Sequence, residues 1–161
     1  MMVRVGCGYD SHRWSRDRKL ILGGIDIPHE LGLIGHSDAD ALTHAICDAL
    51  LGAIAEGDIG LHFPDSDPAF SGISSLKLLE IVHEMVTRKG FAIDYIDSTV
   101  ILEKPRLRPY IADMRNRLAD VLNLPSDRIN IKAKTNEGMG FVGRQEGIAV
   151  LAVAAVKENF A

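Results

Sequence analysis

Apolar positions along the chain change period several times, and the changes mark the elements. Val3 to Tyr9 is a short apolar run that predicts a strand. Leu20 to Ile27, interrupted by Gly23-Gly24, predicts a hairpin, and Pro28 to Gly35 a loop. From Asp38 to Ala55 the residues Leu42, Ile46, Ala49, Leu50 and Ala53 recur at helical spacing, with Ser37 as N-cap and Gly57 beyond the end. Glycines and prolines among aspartates make Gly57 to Gly72 a long loop. A second helix spans Ser74 to Lys89 with the stripe Leu78, Leu79, Val82, Met85, Val86, closed by Gly90. Phe91 to Leu102 reads as a strand. Pro109 opens a third helix, buried through Ile111, Met114, Leu118, Val121 and Leu122 and ended by Asn123 and Pro125. Ile129 to Lys134 and Ile148 to Val156 are the last strands.

Strand, helix, strand between Tyr95 and Lys134 implies a right-handed parallel crossover, whereas the other strands obey hairpin logic. The expected fold is α+β, a two-layer sandwich of a mixed sheet with helices packed on one face. At 161 residues the chain suits one domain, taken as 1–161, since domains average roughly 100–200 residues. Hydrophobic residues at 47% exclude disorder. Eighteen basic against 22 acidic side chains, net −4, argue against nucleic acid as a partner, while a local anion site stays open. Two cysteines, Cys7 and Cys47, are too few for a disulfide framework and read as buried thiols in a reducing compartment. The longest apolar stretch is too short to span a membrane, so a soluble, cytoplasmic protein is expected unless a transit segment was removed.

Several residues carry chemistry. Asp10 and His12, two apart on a strand, share a face and can converge on one ion, or else form an ordinary polar strand end. On the first helix the 100° step sets His44 nearly opposite the apolar stripe, with Asp40 and Asp48 on its side. That face is either solvated, or His44 is a metal ligand whose tautomer a neighbouring carboxylate fixes. One carboxylate and two imidazoles leave an open position on zinc, the pattern of catalytic sites. His36 and Ser37 precede the helix's first turn, where an anion is favoured. Asp58-Ile59-Gly60 and Phe63-Pro64-Asp65-Ser66-Asp67-Pro68 are turn formers or, functionally, acceptors for polyol hydroxyls. Gly138 to Gly143 matches the dinucleotide glycine spacing by accident, because the residues after Gly147 read as a strand and not as a helix. Lys134-Thr135-Asn136-Glu137 can grip a diphosphate, with Glu137 as an oxygen ligand for Mg²⁺ or Mn²⁺. Lys104-Pro105-Arg106-Leu107-Arg108 is a solvated basic loop or a nucleotide-phosphate contact.

In register, Gly8-Tyr9-Asp10-Ser11-His12, His36 through His44, Gly57 to Gly60, Phe63 to Pro68, and Lys134 to Glu137 through Gly140 to Arg144 make the chain resemble the 2-C-methyl-D-erythritol 2,4-cyclodiphosphate synthase family, from Gly6 to about Val156. The resemblance implies a homotrimer with active sites at subunit interfaces. Each site would close 4-diphosphocytidyl-2-C-methyl-D-erythritol 2-phosphate into the cyclic diphosphate and release CMP. It implies Asp10, His12 and His44 as zinc ligands, Glu137 as ligand to Mg²⁺ or Mn²⁺, and His36 and Thr135 as the residues that steady the transition state. Substrate would be bound by Asp10, His12, His36, Thr135 and Glu137 with Ser37, by Asp58, Ile59, Gly60 and Phe63 to Asp67, and by Leu102, Glu103 and Lys104 to Arg108 on the cytidine side. Lys134, Asn136, Phe141 and Arg144 complete the set, the last two beside a central cavity. Many relatives have Thr-Thr-Thr-Glu where this chain has Lys134 to Glu137, and Val150 to Ala152 are apolar where some members place an acid. A metal-dependent phosphatase and a non-enzymatic trimeric nucleotide-binding module are the competing readings.

Overall fold

The computed structural model describes residues 2–159. In chain order the elements are β1 (Val3–Ser15), β2 (Leu20–Leu22), β3 (Ile25–Ile27), β4 (Gly32–Leu33), α1 (Ala41–Ala53), α2 (Ile59–His62), α3 (Ser75–Arg88), β5 (Phe91–Ile101), α4 (Ile111–Leu122), β6 (Ile129–Lys134), α5 (Gly140–Gly143) and β7 (Gly147–Glu158). A five-stranded sheet runs β4-β1-β7-β5-β6, and β2 and β3 form a separate hairpin. Only β5 and β6 pair in parallel, joined through α4 as expected; the remaining pairs are antiparallel. With α1, α3 and α4 layered on the sheet, the expected mixed-sheet α+β sandwich is the fold observed.

Helix α1 is the centre of the core. Leu42, Ile46, Leu50 and Leu51 are wholly buried, each worth roughly 1.5–3 kcal/mol relative to exposure. It reaches the sheet across Gly6 and Gly8 of β1. A Cβ at Gly8 would lie 2.7 Å from the Ala49 amide nitrogen and closer still to the Ala45 carbonyl. One at Gly6 would press on the backbone of Ala49 and Ala53. Glycine on the strand and alanine on the helix thus bring the two backbones together.

Five expectations change, the first being that the predicted Gly57 to Gly72 loop folds into the single-turn helix α2 and a 3₁₀ turn at Pro68–Phe70, each started by an aspartate cap. Strand β1 continues past Tyr9 to Ser15, because Asp10 and His12 stay on the helix side while the strand keeps pairing with β7 as far as Arg13. The expected Pro28 to Gly35 loop contains β4, which adds to β1 at Trp14 and Ser15. The N-cap of α1 is Asp40 rather than Ser37. Its carboxylate accepts from Thr43 N–H (3.0 Å) and Oγ1–H (2.7 Å), and also from Gly23 N–H (2.9 Å) and Gly24 N–H (2.7 Å), pinning the β2–β3 turn to the helix start. Cys7 is exposed, since Gly6 and Gly8 point inward and Val5, Cys7 and Tyr9 outward; Cys47 is buried as expected, and both are free thiols.

Along β1 and β7 the outward face of the sheet carries exposed apolar side chains, while on β5 and β6 it carries Asp97, Asn130 and Lys132. Val5, Tyr9, Leu151 and Val153 form the apolar part, with Tyr9 opposite Leu151 and Cys7 opposite Val153 in the ladder. A strand that alternates between two apolar faces is built to be covered on both.

Candidate metal centre and active-site cavity

The metal-ligating geometry originates at the Gly8 seam. Where β1 passes beyond α1's closest approach, Asp10 projects from the strand towards His44 on the helix. Asp10 Oδ2 lies 2.8 Å from His12 Nε2 and 3.1 Å from His44 Nδ1, and the two imidazole nitrogens are 3.4 Å apart. Among the described residues this is the group of three side chains able to hold an ion. A tetrahedral zinc with ligands at about 2.0–2.1 Å has donor–donor edges of about 3.3 Å, so the donors already have the spacing of three corners of such a site.

The three groups also share charge. Burial alone raises the Asp10 carboxyl, but hydrogen bonds from His12 and His44 and their positive charge outweigh it and hold the group down to about 2. Burial lowers His12, yet the Asp10 hydrogen bond and charge, with the Ile34 carbonyl, raise it overall. His12 Nδ1 donates to that carbonyl at 2.6 Å, so Nε2, the nitrogen facing Asp10, is the one whose proton an ion would displace. Gly35 lies alongside, and a Cβ there would come within 3.1 Å of the His12 ring.

The structure revises the surroundings of His44. Helix α1 has no solvated acidic face at this point: His44 is buried, and neither Asp40 nor Asp48 bonds its ring. Asp40 caps the helix, and Asp48 accepts from Ile59 N–H at 2.8 Å, fixing the start of α2. Burial raises both carboxyls, against the hydrogen bonds they accept. The partners of His44 Nε2 are instead Ser75 Oγ at 2.8 Å and Ser37 Oγ at 3.1 Å. Nothing local in the sequence marks Ser75, which arrives from the start of α3.

Asp10, His12, His36, Ser37 and His44 line one cavity of about 270 Å³, faced by Ile59, Gly60, Phe63 and Asp65. Phe70, Ile73 and Leu78 extend its apolar wall, and no sequence signal singles them out. His36 is exposed at this cavity. Asp58, Pro64, Ser66 and Asp67 do not line it. Asp58 caps α2 through Leu61 N–H at 3.0 Å, and Asp67 caps the next turn through Ala69 N–H at 2.9 Å, so both serve the turn role.

Leu102, Glu103, Pro105 to Arg108, Lys134 and Thr135 line a second, separate cavity of about 170 Å³. Lys104 is exposed outside it. The Leu102 and Leu107 side chains belong to the core, Leu102 N–H donates to the Lys134 carbonyl at 2.9 Å and the Leu107 carbonyl accepts from Tyr110 N–H at 2.8 Å. Glu103 braces the neighbouring turn by accepting from Asn136 N–H (2.9 Å) and Gly138 N–H (3.3 Å). Asn136 also donates to the Met139 carbonyl. Glu137 is exposed and accepts from Thr135 Oγ1–H at 2.9 Å. Phe141 borders a third cavity with Tyr9 and Ser11, and Arg144 pairs with Glu146 at 2.7 Å. The glycine run holds only the four residues of α5 before β7 begins, so it lacks the helix of a dinucleotide site, in line with the sequence pattern.

A small α+β domain whose Asp-His-His group has the geometry to hold a metal ion at one end of a largely apolar-walled cavity defines the class of protein. Residues 3–157 match the model of the YgbB family, and the chain belongs to that family. It is 79% identical over 157 residues to the 2-C-methyl-D-erythritol 2,4-cyclodiphosphate synthase of Syntrophus aciditrophicus, spanning 98% of this chain and 99% of that one. It is 54% identical to the enzyme of the same name from Syntrophotalea carbinolica, over 98% and 96% of the two chains. A solved cyclodiphosphate synthase in its CDP-bound form superposes with a TM-score of 0.88 at 37% identity, covering 96% of this chain and all of that one. The bifunctional IspDF of Campylobacter jejuni gives 0.94 at 39%, with 98% of this chain spanning 42% of that protein.

Proposed function

We propose that this protein is a 2-C-methyl-D-erythritol 2,4-cyclodiphosphate synthase. It converts 4-diphosphocytidyl-2-C-methyl-D-erythritol 2-phosphate to the cyclic diphosphate with release of CMP. The observation that carries the reading is the convergence of Asp10, His12 and His44 at one end of a cavity walled by Ile59, Gly60, Phe63 and Asp65. The substrate brings its own nucleophile, the 2-phosphate, so the protein supplies neither a side-chain nucleophile nor a strong base. Its task is to fold a flexible polyanion until the 2-phosphate meets the β-phosphorus, and such positioning is worth roughly 7–11 kcal/mol in favourable systems.

Asp10, His12 and His44 are the residues that hold zinc in this reading, and Glu137 is the ligand to Mg²⁺ or Mn²⁺. Metal ions bound there supply charge neutralisation and polarisation of phosphate oxygens. His36 and Ser37 bind phosphate at the cavity mouth, and Thr135 places its hydroxyl against the diphosphate beside Glu137. Asp65 and the backbone of Ile59 and Gly60 take the erythritol hydroxyls, and Phe63 excludes water. Leu102 to Arg108 bind the cytidine side.

The site is complete in a homotrimer. Two observations support that assembly: the metal cavity and the Leu102–Thr135 cavity are separate within one chain, and the outer sheet face is apolar along β1 and β7. We assign the enzyme to the cytoplasm, in keeping with its two free thiols. No helix among the described residues is long and apolar enough to cross a membrane.

Phosphorus NMR of the cytidine substrate incubated with protein, zinc and Mg²⁺ tests the reaction. Cyclic diphosphate with CMP is the expected outcome; linear phosphates with orthophosphate would replace it with metal-dependent hydrolysis. Asp10→Ala and His12→Ala should each abolish turnover in a folded trimer, and Glu137→Gln should raise the Mg²⁺ requirement.

A further inference from the structure

Ser75 opens α3, 31 residues after His44 in the chain, and is wholly buried. Its hydroxyl touches two groups. One is His44 Nε2 at 2.8 Å; the other is the Asp38 carboxylate, at a short hydrogen bond to Oδ1. Asp38 is held on Ser75 by a further bond, Ser75 N–H donating to Oδ2 at 3.0 Å, and Oδ1 also accepts from Asp40 N–H at 3.2 Å.

Hydrogen-bond accounting fixes the direction of the chain. A hydroxyl has one proton to give, and a carboxylate only accepts. The Ser75 proton therefore goes to Asp38, and Ser75 Oγ faces His44 as an acceptor. Nε2 must then carry an imidazole proton, so Nδ1, whose own proton is shared with Asp10, is the nitrogen whose lone pair an ion would take up by displacing that proton. Nδ1 is the nitrogen that faces Asp10 and His12. Ser37 Oγ, which accepts from Ala39 N–H, lies 3.1 Å from Nε2.

We propose that Ser75, oriented by Asp38, is the positioning residue that selects the metal-binding tautomer and ring orientation of His44. The relay runs carboxylate, hydroxyl, imidazole, metal. It does for His44 what the Ile34 carbonyl does for His12, with a polarity that depends on the Asp38 charge. Because Ser75 belongs to α3, this second helix is tied into the metal centre without contributing a ligand. The inference rests on the proposed zinc assignment.

Zinc affinity, measured on metal-stripped protein by competition with a chromophoric chelator, tests it. Ser75→Ala is expected to weaken zinc binding about 10–100-fold, the usual consequence of removing an outer partner of a ligand. Asp38→Asn is expected to weaken it about tenfold by freeing the hydroxyl proton to point at Nε2, and this variant keeps the Ser75 side chain in place if Ser75→Ala folds poorly. Ser74→Ala is the control: that residue caps α3 without a side-chain hydrogen bond, and its loss should leave zinc affinity unchanged. In zinc-loaded protein with labelled histidine, the His44 Nε2 proton should exchange slowly in the wild type and about tenfold faster in Ser75→Ala. Zinc affinity of both variants within twofold of wild type, or an equally protected Nε2 proton in Ser75→Ala, overturns the proposal alone. A wild-type protein that takes up no zinc overturns the metal assignment and this proposal with it.

Discussion

Replacing Gly8 with alanine tests whether the seam between β1 and α1 sets the metal centre. The new methyl would stand 2.7 Å from the Ala49 nitrogen and nearer to the Ala45 carbonyl, where neighbouring heavy atoms prefer about 3.5–4.0 Å. Both obstacles are backbone, so no side chain can turn aside, and α1 must withdraw by at least about 1 Å. Overpacking of this kind costs about 1–3 kcal/mol. At about 2–4 °C per kcal/mol for a chain of this size, the melting temperature should fall by roughly 2–12 °C. Function should suffer more, since the same withdrawal carries His44 away from Asp10 and His12, and a displacement near 1 Å can cost about 100-fold in rate. The assay is zinc content after dialysis, turnover and thermal unfolding of the same preparation. Gly52→Ala on the same helix is the counterpart. Its Cβ would meet nothing nearer than 3.8 Å, so it should stabilise the protein by about 0.5–1 kcal/mol and leave zinc untouched. Gly8→Ala with zinc affinity and turnover within twofold of wild type would refute the argument.

Three further outcomes are expected. Asp40→Asn keeps one acceptor oxygen where four donors converge, and leaving one or two of them unpaired should cost about 2–4 kcal/mol; urea unfolding at fixed protein concentration showing less than about 1 kcal/mol would remove the residue's pinning role. Zinc affinity should fall on acidification from somewhat above pH 6.5, because His12 is raised and its proton competes with the ion. In metal-free protein, the stability Asp10 contributes is present above 3.8 and lost as pH falls through about 2. The part from His12 is present below 6.5 and lost as pH rises through its raised value; titration of metal binding and of unfolding across that range checks both signs. Leu151→Glu, on the outer sheet face opposite Tyr9, should give monomers by light scattering and an inactive protein, and an active trimer would take that face out of the assembly.

Much of the fold is legible in the sequence because the informative signals are local. Helical spacing marks α1, α3 and α4, Gly23-Gly24 marks the hairpin, and the i, i+2 relation of Asp10 and His12 puts both on one face. The features that escape are non-local. Ser37 and Asp40 are both capping residues, and Asp40 wins because Gly23 and Gly24, far earlier in the chain, supply amides to its carboxylate. Helical phase sets His44 against its own apolar stripe and so suggests solvent, but α1 is buried on nearly every side and the polar face is an interior one. The Ile34 carbonyl and the Ser75 hydroxyl depend on tertiary placement, which no spacing encodes. An apolar run from Val3 to Tyr9 gives no sign that Cys7 points outward; the glycines take the inner face, and the outer face is apolar in its own right.

The cavity has unequal walls. The side bearing Asp10, His12 and His44 is strand and helix in backbone contact, whereas the side bearing Ile59 to Phe70 consists of a single-turn helix and a 3₁₀ turn, each capped by its own aspartate. On the proposed reading, the strand–helix wall is the one that would fix where phosphorus stands and the wall of short turns the one that would fit itself to the sugar. Loading the wall of short turns should carry an unfavourable entropy, visible by calorimetry, and trimmed polyols should forfeit catalytic rate more than zinc-side affinity.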